Sequence, residues 1–370
     1  MYYLCKNEAN NKDFHENFAH ICRPQVALRG SSTDGEWGND VIPSAPRTVS
    51  PSQSHSRGGH CNVHDFSTFI DIYDPYEFGC VATRLPELGC LGLRICLYPD
   101  DVDRYVSTYI RTTGAWEPEI TLPILSAMEK YPSAIFLDIG ANVGMHSLSV
   151  ARFGRRVVAV EPKLSTIKRL HKSVNLNRLA DRYTLVTNAV SNARQTMTLR
   201  SDVINPGASS LFDNKPRFYH EETVETILMD DLLEVLPADT SEIVMKIDIE
   251  GFEARAFANA SMLLSSGVKI QAVFMEWVHM QRLLSQSDDD GDDDAVATAD
   301  AALVRAMVTK LRELGLQPFS VLNQNNGFDY SCARALNDFE FDTWPIDVVW
   351  VRTTTPPAVN LTTLLRKRRS

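Results

Sequence analysis

The sequence lacks a long hydrophobic run. No apolar stretch approaches the roughly 18–20 residues that a helix needs to cross a bilayer. The opening "MYYLC" is too short for the core of a signal peptide, because the charged residues Lys6 and Glu8 follow it. We therefore expect a cytoplasmic protein, a location that an upstream exon encoding a signal anchor would reverse.

The sequence also lacks the cysteine spacing of a zinc site. None of its seven cysteines forms a C-x-x-C pair, which argues against structural zinc. Six of the seven lie within the first 96 residues. This clustering is compatible with an oxidised N-terminal region, although the odd total leaves one cysteine over.

Negative charge exceeds positive charge, with 47 Asp and Glu against 37 Lys and Arg, and much of the excess is local. The formal net charge is −10, and six aspartates stand together in "DDDGDDD" at 288–294. Such a run is typical of a solvated loop, and it lacks the distal glutamate of a calcium-binding EF-hand loop. The rest of the chain is mildly acidic, so we expect no nucleic-acid partner.

Four regions follow one another along the chain. Residues 1–60 are rich in Ser, Pro and Gly and are predicted to be disordered. Residues 61–130 form an N-terminal cap, residues 131–352 the main domain, and residues 353–370 a basic tail. In the main domain buried strands alternate with amphipathic helices, which predicts an α/β fold with a Rossmann-like, mostly parallel, doubly wound sheet.

Three local predictions refine this outline. The segment "DDVDRYVSTYI" is expected to form a helix capped by Asp100 or Asp101. The segments "QTMTLRS" and "ETVETILM" alternate with period two and are expected to form an inserted hairpin. Residues 251–265 are expected to form one helix after the fourth strand.

A glycine-rich turn follows the first predicted strand of the main domain, "AIFLD". Gly140, Asn142 and Gly144 give G-x-N-x-G, which lets a ligand approach the backbone but lacks the third glycine of the dinucleotide fingerprint G-x-G-x-x-G. Asp138 at the strand end would repel a pyrophosphate and attract a cation. S-adenosylmethionine carries a sulfonium and an ammonium group and no phosphate, so this charge favours it over NAD.

Two later strand ends complete the expected cofactor site. Glu161 ends the second strand, where a carboxylate can accept hydrogen bonds from both hydroxyls of an adenosine ribose. Asn188 ends the third strand, where its amide would either meet the adenine edge or cap a turn. The sequence does not choose between these two roles for Asn188.

Four segments, "FLDIGANVGMHSL", "AVEP", "NAVSN" and "VMKIDIEGFEARAF", together resemble the FkbM family of class I S-adenosylmethionine-dependent methyltransferases. The resemblance runs over 96–352, and K-I-D-I-E-G is its specific part. It implies a seven-stranded sheet whose last strand is antiparallel, and O-methylation of hydroxyls on polyketides and sugars. The residues that it implies for the cofactor are Asp138, Gly140, Asn142, Gly144 and Glu161, and those for the acceptor end are Lys246, Asp248, Glu250 and Glu276.

Lys246, Asp248 and Glu250 alternate along the fourth predicted strand, which would point all three to one face. Three charges on a buried strand are costly unless they pair or face a cavity. At the carboxyl end of a central strand they would face the crevice where ligands bind. A lysine–carboxylate pair that merely ends the strand is the structural alternative.

Methylation of a hydroxyl requires a positioned base or a metal, because a hydroxyl ionises far above neutral pH. Asp248 or Glu250 is the expected base, with Lys246 holding the developing alkoxide. His279 in "MEWVHM" is a second candidate for the base. His146 has either a place in the site or a packing role.

The spacing of these residues does not favour a metal. No H-x-E or similar pattern is present, so we expect none, although a site made from Asp248, Glu250 and Glu276 stays open.

The leading hypothesis is therefore an S-adenosylmethionine-dependent methyltransferase that acts on a hydroxyl of a small molecule or glycan. A catalytically inactive S-adenosylmethionine-binding scaffold is one alternative, against which the charges at 246, 248 and 250 argue. An NAD-dependent oxidoreductase is another, which Asp138 and the missing third glycine disfavour.

Overall fold

A computed structural model describes residues 59–68, 79–85, 92–211, 219–285, 295–321, 335–337 and 340–353. The predicted disordered segment up to residue 58, the aspartate run and the basic tail beyond residue 353 lie outside the described residues.

The described part contains thirteen strands and eight α-helices. The strands are β1 Gly79–Ala82, β2 Arg94–Leu97, β3 Ala134–Ile139, β4 Val157–Val160, β5 Tyr183–Val186, β6 Ala189–Val190, β7 Thr196–Asp202, β8 Ser209–Ser210, β9 Tyr219–Ile227, β10 Glu242–Ile247, β11 Lys269–Glu276, β12 Leu316–Ser320 and β13 Asp347–Arg352. The helices are α1 Val106–Thr113, α2 Pro118–Lys130, α3 Met145–Arg152, α4 Leu164–Leu176, α5 Glu253–Ala258, α6 Ser261–Ser265, α7 Val278–Ser285 and α8 Ala295–Glu313.

A seven-stranded sheet forms the centre of the main domain, in the order β12-β13-β11-β10-β3-β4-β5. The pairs from β11 through β10, β3 and β4 to β5 are parallel, and the last strand, β13, is antiparallel to both of its neighbours. The carboxyl ends of β3 and β4 and that of β10 therefore meet at one edge of the sheet. The predicted α/β fold with its antiparallel last strand is confirmed.

Helices cover both faces of the sheet, which explains why its central strands are apolar throughout. β3 and β4 are buried at every position. On one face, side chains such as Phe136 and Phe274 pack against α2, α3 and α4. On the other face, side chains such as Leu137 and Trp350 pack against α5 to α8. Two separate apolar layers thus hold the sheet rigid at its ligand-binding edge.

The predicted hairpin is present and stands beside the main sheet. β7 and β9 pair antiparallel from Thr196 opposite Glu225 to Asp202 opposite Tyr219. β8 adds to the outer side of β7, and β6 pairs with β9. The hairpin therefore forms its own small sheet near the carboxyl ends of the central strands.

The N-terminal cap contributes a second hairpin and an edge segment. β1 and β2 pair antiparallel, and a disulfide joins the facing residues Cys80 and Cys96. Cys61 is a buried free thiol, and the other four cysteines lie outside the described residues. Around Val63, the segment 59–68 pairs antiparallel with β5, with His64 N donating to Leu185 O at 2.8 Å.

The predicted cap of α1 was wrong. Asp103, rather than Asp100 or Asp101, accepts hydrogen bonds from the backbone N–H groups at the start of the helix, including Val106 N at 3.1 Å and Ser107 N at 2.9 Å. Asp100 instead accepts from side chains of the helix, Thr108 Oγ1 at 3.2 Å and Arg111 Nε at 2.8 Å, so the helix begins later than the acidic run suggests.

The single helix predicted over 251–265 is two helices, α5 and α6. Side chains from distant parts of the chain stabilise the break. Lys310 Nζ donates to the last carbonyls of α5, Phe257 O and Ala258 O, at 3.1 and 3.0 Å. The Asp230 carboxylate accepts from the first N–H groups of α6, at Met262 and Leu263.

None of the helices in the described residues is both long enough and apolar enough to cross a bilayer.

Candidate active site

The glycine turn after β3 is held against the end of β10. Gly140 has φ +87°, and a Cβ there would overlap the backbone carbonyl of Asp248. Asp248 N in turn donates to Ile139 O at 2.9 Å. Only glycine permits this close approach of two strand ends, so the turn joins the predicted cofactor motif to the predicted acceptor motif.

Gly144 makes a packing contact that the motif did not predict. Its φ is +88°, and a Cβ would overlap the side chain of Leu170 on α4. Gly144 does not line the cavity beside the turn, whereas Gly140 and Asn142 do. Its role is therefore to let α3 and α4 pack closely.

Glu161 lies directly after β4 and faces the glycine turn. Its carboxylate accepts from Asn142 N and from Lys163 N, both at 2.9 Å. Burial raises the pKa of Glu161 to about 7, against the two backbone hydrogen bonds, which lower it. The carboxylate is thus fixed in place at the cavity wall, as a ribose-binding group requires.

A cavity of about 580 Å³ lies between the strand ends and the β7–β9 hairpin. Its lining residues are Ile139, Gly140, Asn142, Val160, Glu161, Pro162, Thr166, Asn188, Ala189, Val190, Leu199, Pro206, Gly207, Ser209, Leu211, Asp248, Ile249, Glu250 and Phe252. We call it the first cavity. Its lining includes the three carboxylates of Glu161, Asp248 and Glu250, and no lysine, arginine or histidine occurs among these residues.

Asp138 does not reach the first cavity. It is fully buried on β3, and the Ser147 hydroxyl on α3 lies close to its carboxylate. Burial raises the pKa of Asp138, while Lys246 on the neighbouring strand, His146 and the Ser147 hydroxyl act to lower it. The predicted negative charge of the crevice is present, but Asp248 and Glu250 supply it in the cavity wall.

Asn188 lines the first cavity, yet both ends of its amide are engaged elsewhere. Oδ1 accepts from Asn62 N at 2.7 Å and Nδ2 donates to Glu225 O at 3.3 Å. Of the two roles considered from the sequence, the structure favours the structural one, because the side chain joins the edge segment to the hairpin.

Lys246 and Asp248 form a close ion pair at the end of β10, with Nζ 2.8 Å from Oδ2. Burial lowers the pKa of Lys246, but Asp248 and Glu117 outweigh it and raise the pKa overall. Burial likewise raises the pKa of Asp248, and Lys246 outweighs it, so the carboxyl titrates below its usual range. Both side chains are therefore charged at neutral pH.

A second cavity, of about 290 Å³, adjoins this ion pair. Its lining residues are Glu117, Ile120, Lys246, Asp248, Phe274, Met275, Glu276, Val321 and Asp347. Asp248 alone lines both the first and the second cavity. It therefore lies at the junction between the cavity beside the glycine turn and the cavity beside β11 and β13.

Glu250, Glu276 and His279 meet at the same junction. His279 Nε2 lies 3.2 Å from Glu250 Oε2 and 3.2 Å from Glu276 Oε2. Burial lowers the pKa of His279, but these two carboxylates outweigh it and raise the pKa to about 10. Since Nε2 must carry a proton to donate to them, His279 is a poor candidate for the base in this arrangement.

The expectation that Lys246, Asp248 and Glu250 share one strand face was wrong. β10 ends at Ile247, and Glu250 lies beyond it with φ +55°. This conformation is unfavourable for a residue other than glycine and is often found at functional sites. The turn, rather than the strand, brings Glu250 into the wall of the first cavity.

Sequence reasoning missed Glu117 and Asp347. Glu117 precedes α2 with φ +45°, and His146 Nε2 lies 3.4 Å from its Oε2, which explains the buried position of His146. Burial, together with the carboxylates of Glu117 and Glu276, raises the pKa of Asp347 to about 7. Neither residue belongs to a motif, so only the fold brings them to the second cavity.

The comparisons with known proteins agree with the motifs. Residues 138–315 match the family described as "Methyltransferase FkbM domain". No curated protein matches the chain. The matched range contains the glycine turn, Glu161 and the Lys246–Asp248 pair, and most of the walls of both cavities.

Several solved methyltransferase structures are similar to parts of the chain. SAH-bound PaMTH1 from Podospora anserina shares 12% identity, with coverage of 62% of this chain and 76% of that one and a TM-score of 0.31. The O-methyltransferase TomG from Streptomyces achromogenes, in complex with SAM, shares 11% identity, covering 69% and 91%, with a TM-score of 0.36. An O-methyltransferase from Bacillus cereus in complex with SAH shares 11% identity, covering 64% and 82%, with a TM-score of 0.35.

Proposed function

We propose that this protein transfers a methyl group from S-adenosylmethionine to a hydroxyl oxygen of a small molecule or glycan, because residues 138–315 match the family described as "Methyltransferase FkbM domain". S-adenosylmethionine is the methyl donor of such domains. The family match does not say which atom is methylated or on what kind of acceptor. For these two parts of the proposal the support comes from the site.

The first cavity fits the donor on three grounds. The backbone at Gly140 leaves no room for a side chain, Glu161 presents a fixed carboxylate for the ribose hydroxyls, and the cavity walls carry negative charge only. A cationic adenosine compound suits such walls, whereas a pyrophosphate does not. We therefore assign Gly140, Asn142 and Glu161 to the donor, with Asp248 and Glu250 facing its charged end.

The position of Asp248 is the observation that carries the proposal. It is the residue common to both cavities, so an acceptor in the second cavity would reach the donor past its carboxylate. Lys246 Nζ, at 2.8 Å, fixes the orientation of that carboxylate. A carboxylate that lines both cavities can contact an acceptor on one side and the donor on the other, as a proton acceptor in methyl transfer must.

Methyl transfer needs an aligned nucleophile and a site for its proton. When bound, S-adenosylmethionine supplies an electrophilic methyl group on a sulfonium. Asp248 accepts the proton of the acceptor hydroxyl, and the Lys246 ammonium stabilises the developing negative charge on oxygen. Glu117 and Asp347 on the far side of the second cavity offer hydrogen-bond acceptors to further hydroxyls of a polyol or sugar.

The first test identifies the acceptor and the atom that is methylated. The full chain is incubated with labelled S-adenosylmethionine and extracts of the source organism, and labelled products are identified by mass spectrometry. We expect a labelled methyl ether and release of S-adenosylhomocysteine. Binding of S-adenosylmethionine without any product would support the scaffold alternative instead, and a product labelled on nitrogen or carbon would contradict O-methylation.

The second test addresses Asp248. In Asp248→Asn we expect kcat to fall by roughly 10²–10⁴-fold, the usual effect of losing a general base. The affinity for S-adenosylhomocysteine, measured by calorimetry, should change much less. The exposed Asp239→Asn serves as the matched control and should keep full turnover. A normal kcat in Asp248→Asn would remove this residue as the proton acceptor.

The compartment can be proposed from the cysteines. The sequence favours the cytoplasm, but Cys80 and Cys96 form a disulfide, and such bonds persist mainly in oxidising compartments. We therefore favour the secretory pathway, the alternative that an upstream anchor would provide. Mass spectrometry of the native protein after alkylation without reductant tests this, since free Cys80 and Cys96 thiols would indicate the cytoplasm.

A further inference from the structure

Glu250, Glu276 and His279 place three potential metal-ligand atoms around one point. Their carboxylate oxygens and the imidazole nitrogen lie within 4.8 Å of one another. The side chains belong to three different elements: the turn after β10, the end of β11 and the first turn of α7. The fold, rather than a local sequence pattern, assembles this group, which we call the Glu–Glu–His cluster.

The distances within the cluster match the spacing of ligands on one ion. Protein ligands bind first-row divalent ions at roughly 2.0–2.2 Å, so neighbouring ligand atoms on a tetrahedral or octahedral ion lie roughly 2.8–3.6 Å apart. The two edges from His279 Nε2 to the carboxylate oxygens are both 3.2 Å. These two contacts are hydrogen bonds from His279 Nε2 in this arrangement, and an ion would replace the proton that Nε2 carries.

The cluster lies where the proposed reaction takes place. Glu250 lines the first cavity and Glu276 lines the second. The three side chains are 18–29% exposed, so they leave one side of an ion open. An oxygen atom of an acceptor in the second cavity could take such an open position while facing the donor.

Carboxyl groups outnumber basic side chains around the cluster. The carboxyl groups near it are Glu117, Asp248, Glu250, Glu253, Glu276 and Asp347, and the basic side chains are Lys246, His146 and His279. Burial raises the pKa of Glu253 and of Asp347 to about 7, so these two are only partly ionised at neutral pH. Several carboxylates in one partly buried site repel each other unless cations compensate them.

Glu253 is a further buried carboxyl group near the cluster, and burial raises its pKa to about 7. It is fully buried on α5, and its Oε2 has no hydrogen-bond partner among the described residues, while Oε1 accepts from Ile249 N at 2.8 Å. Its carboxylate also acts electrostatically on His279. Carboxylates behind a ligating histidine are the usual outer support of metal sites.

We propose that Glu250, Glu276 and His279 bind one divalent transition-metal ion that holds the acceptor hydroxyl. The inference rests on the proposed function for its catalytic meaning. One imidazole and two carboxylates suit Mn²⁺ or Zn²⁺ better than Mg²⁺, which prefers oxygen ligands alone. The ion would acidify the bound hydroxyl. Its proton passes to Asp248, the C–O bond forms, and the C–S bond breaks to leave neutral S-adenosylhomocysteine.

The test measures metal binding directly. The full chain is treated with a chelator, desalted, and titrated with Mn²⁺ and with Zn²⁺ by calorimetry. We expect one ion per chain, with Mg²⁺ binding more weakly. His279→Gln and Glu276→Gln should each weaken binding by at least about 10-fold, with folding checked by thermal unfolding.

Glu234→Gln is the matched control. Glu234 belongs to a separate group with His60 and Asp231 and should leave the affinity unchanged. The proposal is overturned if the wild type binds no ion, or if Glu234→Gln loses the ion while His279→Gln and Glu276→Gln retain it.

The two proposals can fail separately. Methyl transfer that persists at full rate with the chelator present would overturn the metal proposal and leave the proposed function standing. Stoichiometric metal binding at the Glu–Glu–His cluster without any methyl transfer would leave the metal site standing and remove the proposed function.

Discussion

Two separate requirements make glycine necessary at position 140. A side chain there must overcome both a positive φ and a direct overlap with the Asp248 carbonyl. We expect Gly140→Ala to lower the free energy of unfolding by roughly 3–5 kcal/mol and to abolish donor binding. Chemical denaturation and calorimetry with S-adenosylhomocysteine measure the two effects.

A comparison with Gly267 separates the effect of the positive φ from the effect of the overlap. Its φ is also +87°, but no atom of the described residues lies within 4 Å of the position that a Cβ would take. Gly267→Ala should therefore cost only the conformational part, roughly 1–2 kcal/mol, and leave donor binding intact. Equal losses in both variants would mean that the contact with Asp248 contributes nothing.

The raised pKa of Glu161 predicts how the affinity for the donor depends on pH. Its carboxylate faces Asn142 N–H, Lys163 and Glu222, and burial raises its pKa to about 7. Ribose hydroxyls bind the ionised form, so affinity should be complete above that pKa and decline as the pH falls through it. We expect calorimetry to give weaker binding of S-adenosylhomocysteine at pH 6 than at pH 8.

Glu161→Gln is the control for this dependence. The ligand's own amino group titrates in both proteins, so the difference between them isolates Glu161. The variant should bind roughly 10-fold or more weakly at pH 8, because it loses a charge-assisted hydrogen bond. If the variant shows the same pH dependence of binding as the wild type, the Glu161 carboxylate is not the group that causes it.

Motif residues were the part of the site that the sequence could predict. Gly140, Asn142, Glu161, Asp248 and Glu250 all line the first cavity, because each stands at or just after a strand end whose place in the sheet the alternating pattern determines. Asp138 and Gly144 belong to the same motif but do not line the first cavity. Gly144 packs against Leu170, and Asp138 is buried behind the cavity wall, next to Lys246. The position of a residue in a strand does not reveal whether its side chain faces the ligand.

At the scale of elements, most strands of the large sheet match the predicted short apolar runs between polar turns. The third predicted strand is an exception, because β5 ends at Val186, Asn188 follows it, and Ala189–Val190 belong to the small sheet. The division of residues 251–265 into α5 and α6 was not predictable, since the side chains that stabilise it, Lys310 and Asp230, are distant in sequence. Glu117 and Asp347 are also distant in sequence, so their meeting at the second cavity was not predictable either.

Helices α5 and α8 are joined by a buried ion pair. Arg255 donates two hydrogen bonds to Asp300, at 2.9 and 2.7 Å, and Asp300 is only 5% exposed. Arg255→Ala would leave this carboxylate buried and unpaired. We expect a loss of roughly 2–4 kcal/mol in the free energy of unfolding, measured by urea denaturation.

Arg156→Ala is the comparison for this effect. Arg156 also makes two hydrogen bonds, to Asp239, but both side chains are exposed. Water replaces the lost contacts there, so the midpoint of unfolding should hardly move. A similar loss in the two variants would show that burial of Asp300 is unimportant.

At the scale of the molecule, the division into a cap at 61–130 and a domain at 131–352 remains a proposal. The disulfide between Cys80 and Cys96 closes a loop of 16 residues in the cap. We expect the Cys80→Ser/Cys96→Ser variant to lose about 3 kcal/mol of unfolding free energy, measured in denaturant. Reductant should lower the stability of the wild type and leave that of the variant unchanged.

Both outer strands of the large sheet already carry backbone partners from their own chain. The segment 59–68 hydrogen-bonds along β5, and on the opposite side Leu336 N donates to Pro318 O of β12. Proline itself offers no N–H for a further strand. A strand of a second molecule that paired with either rim at these positions would have to displace contacts that the protein's own chain supplies.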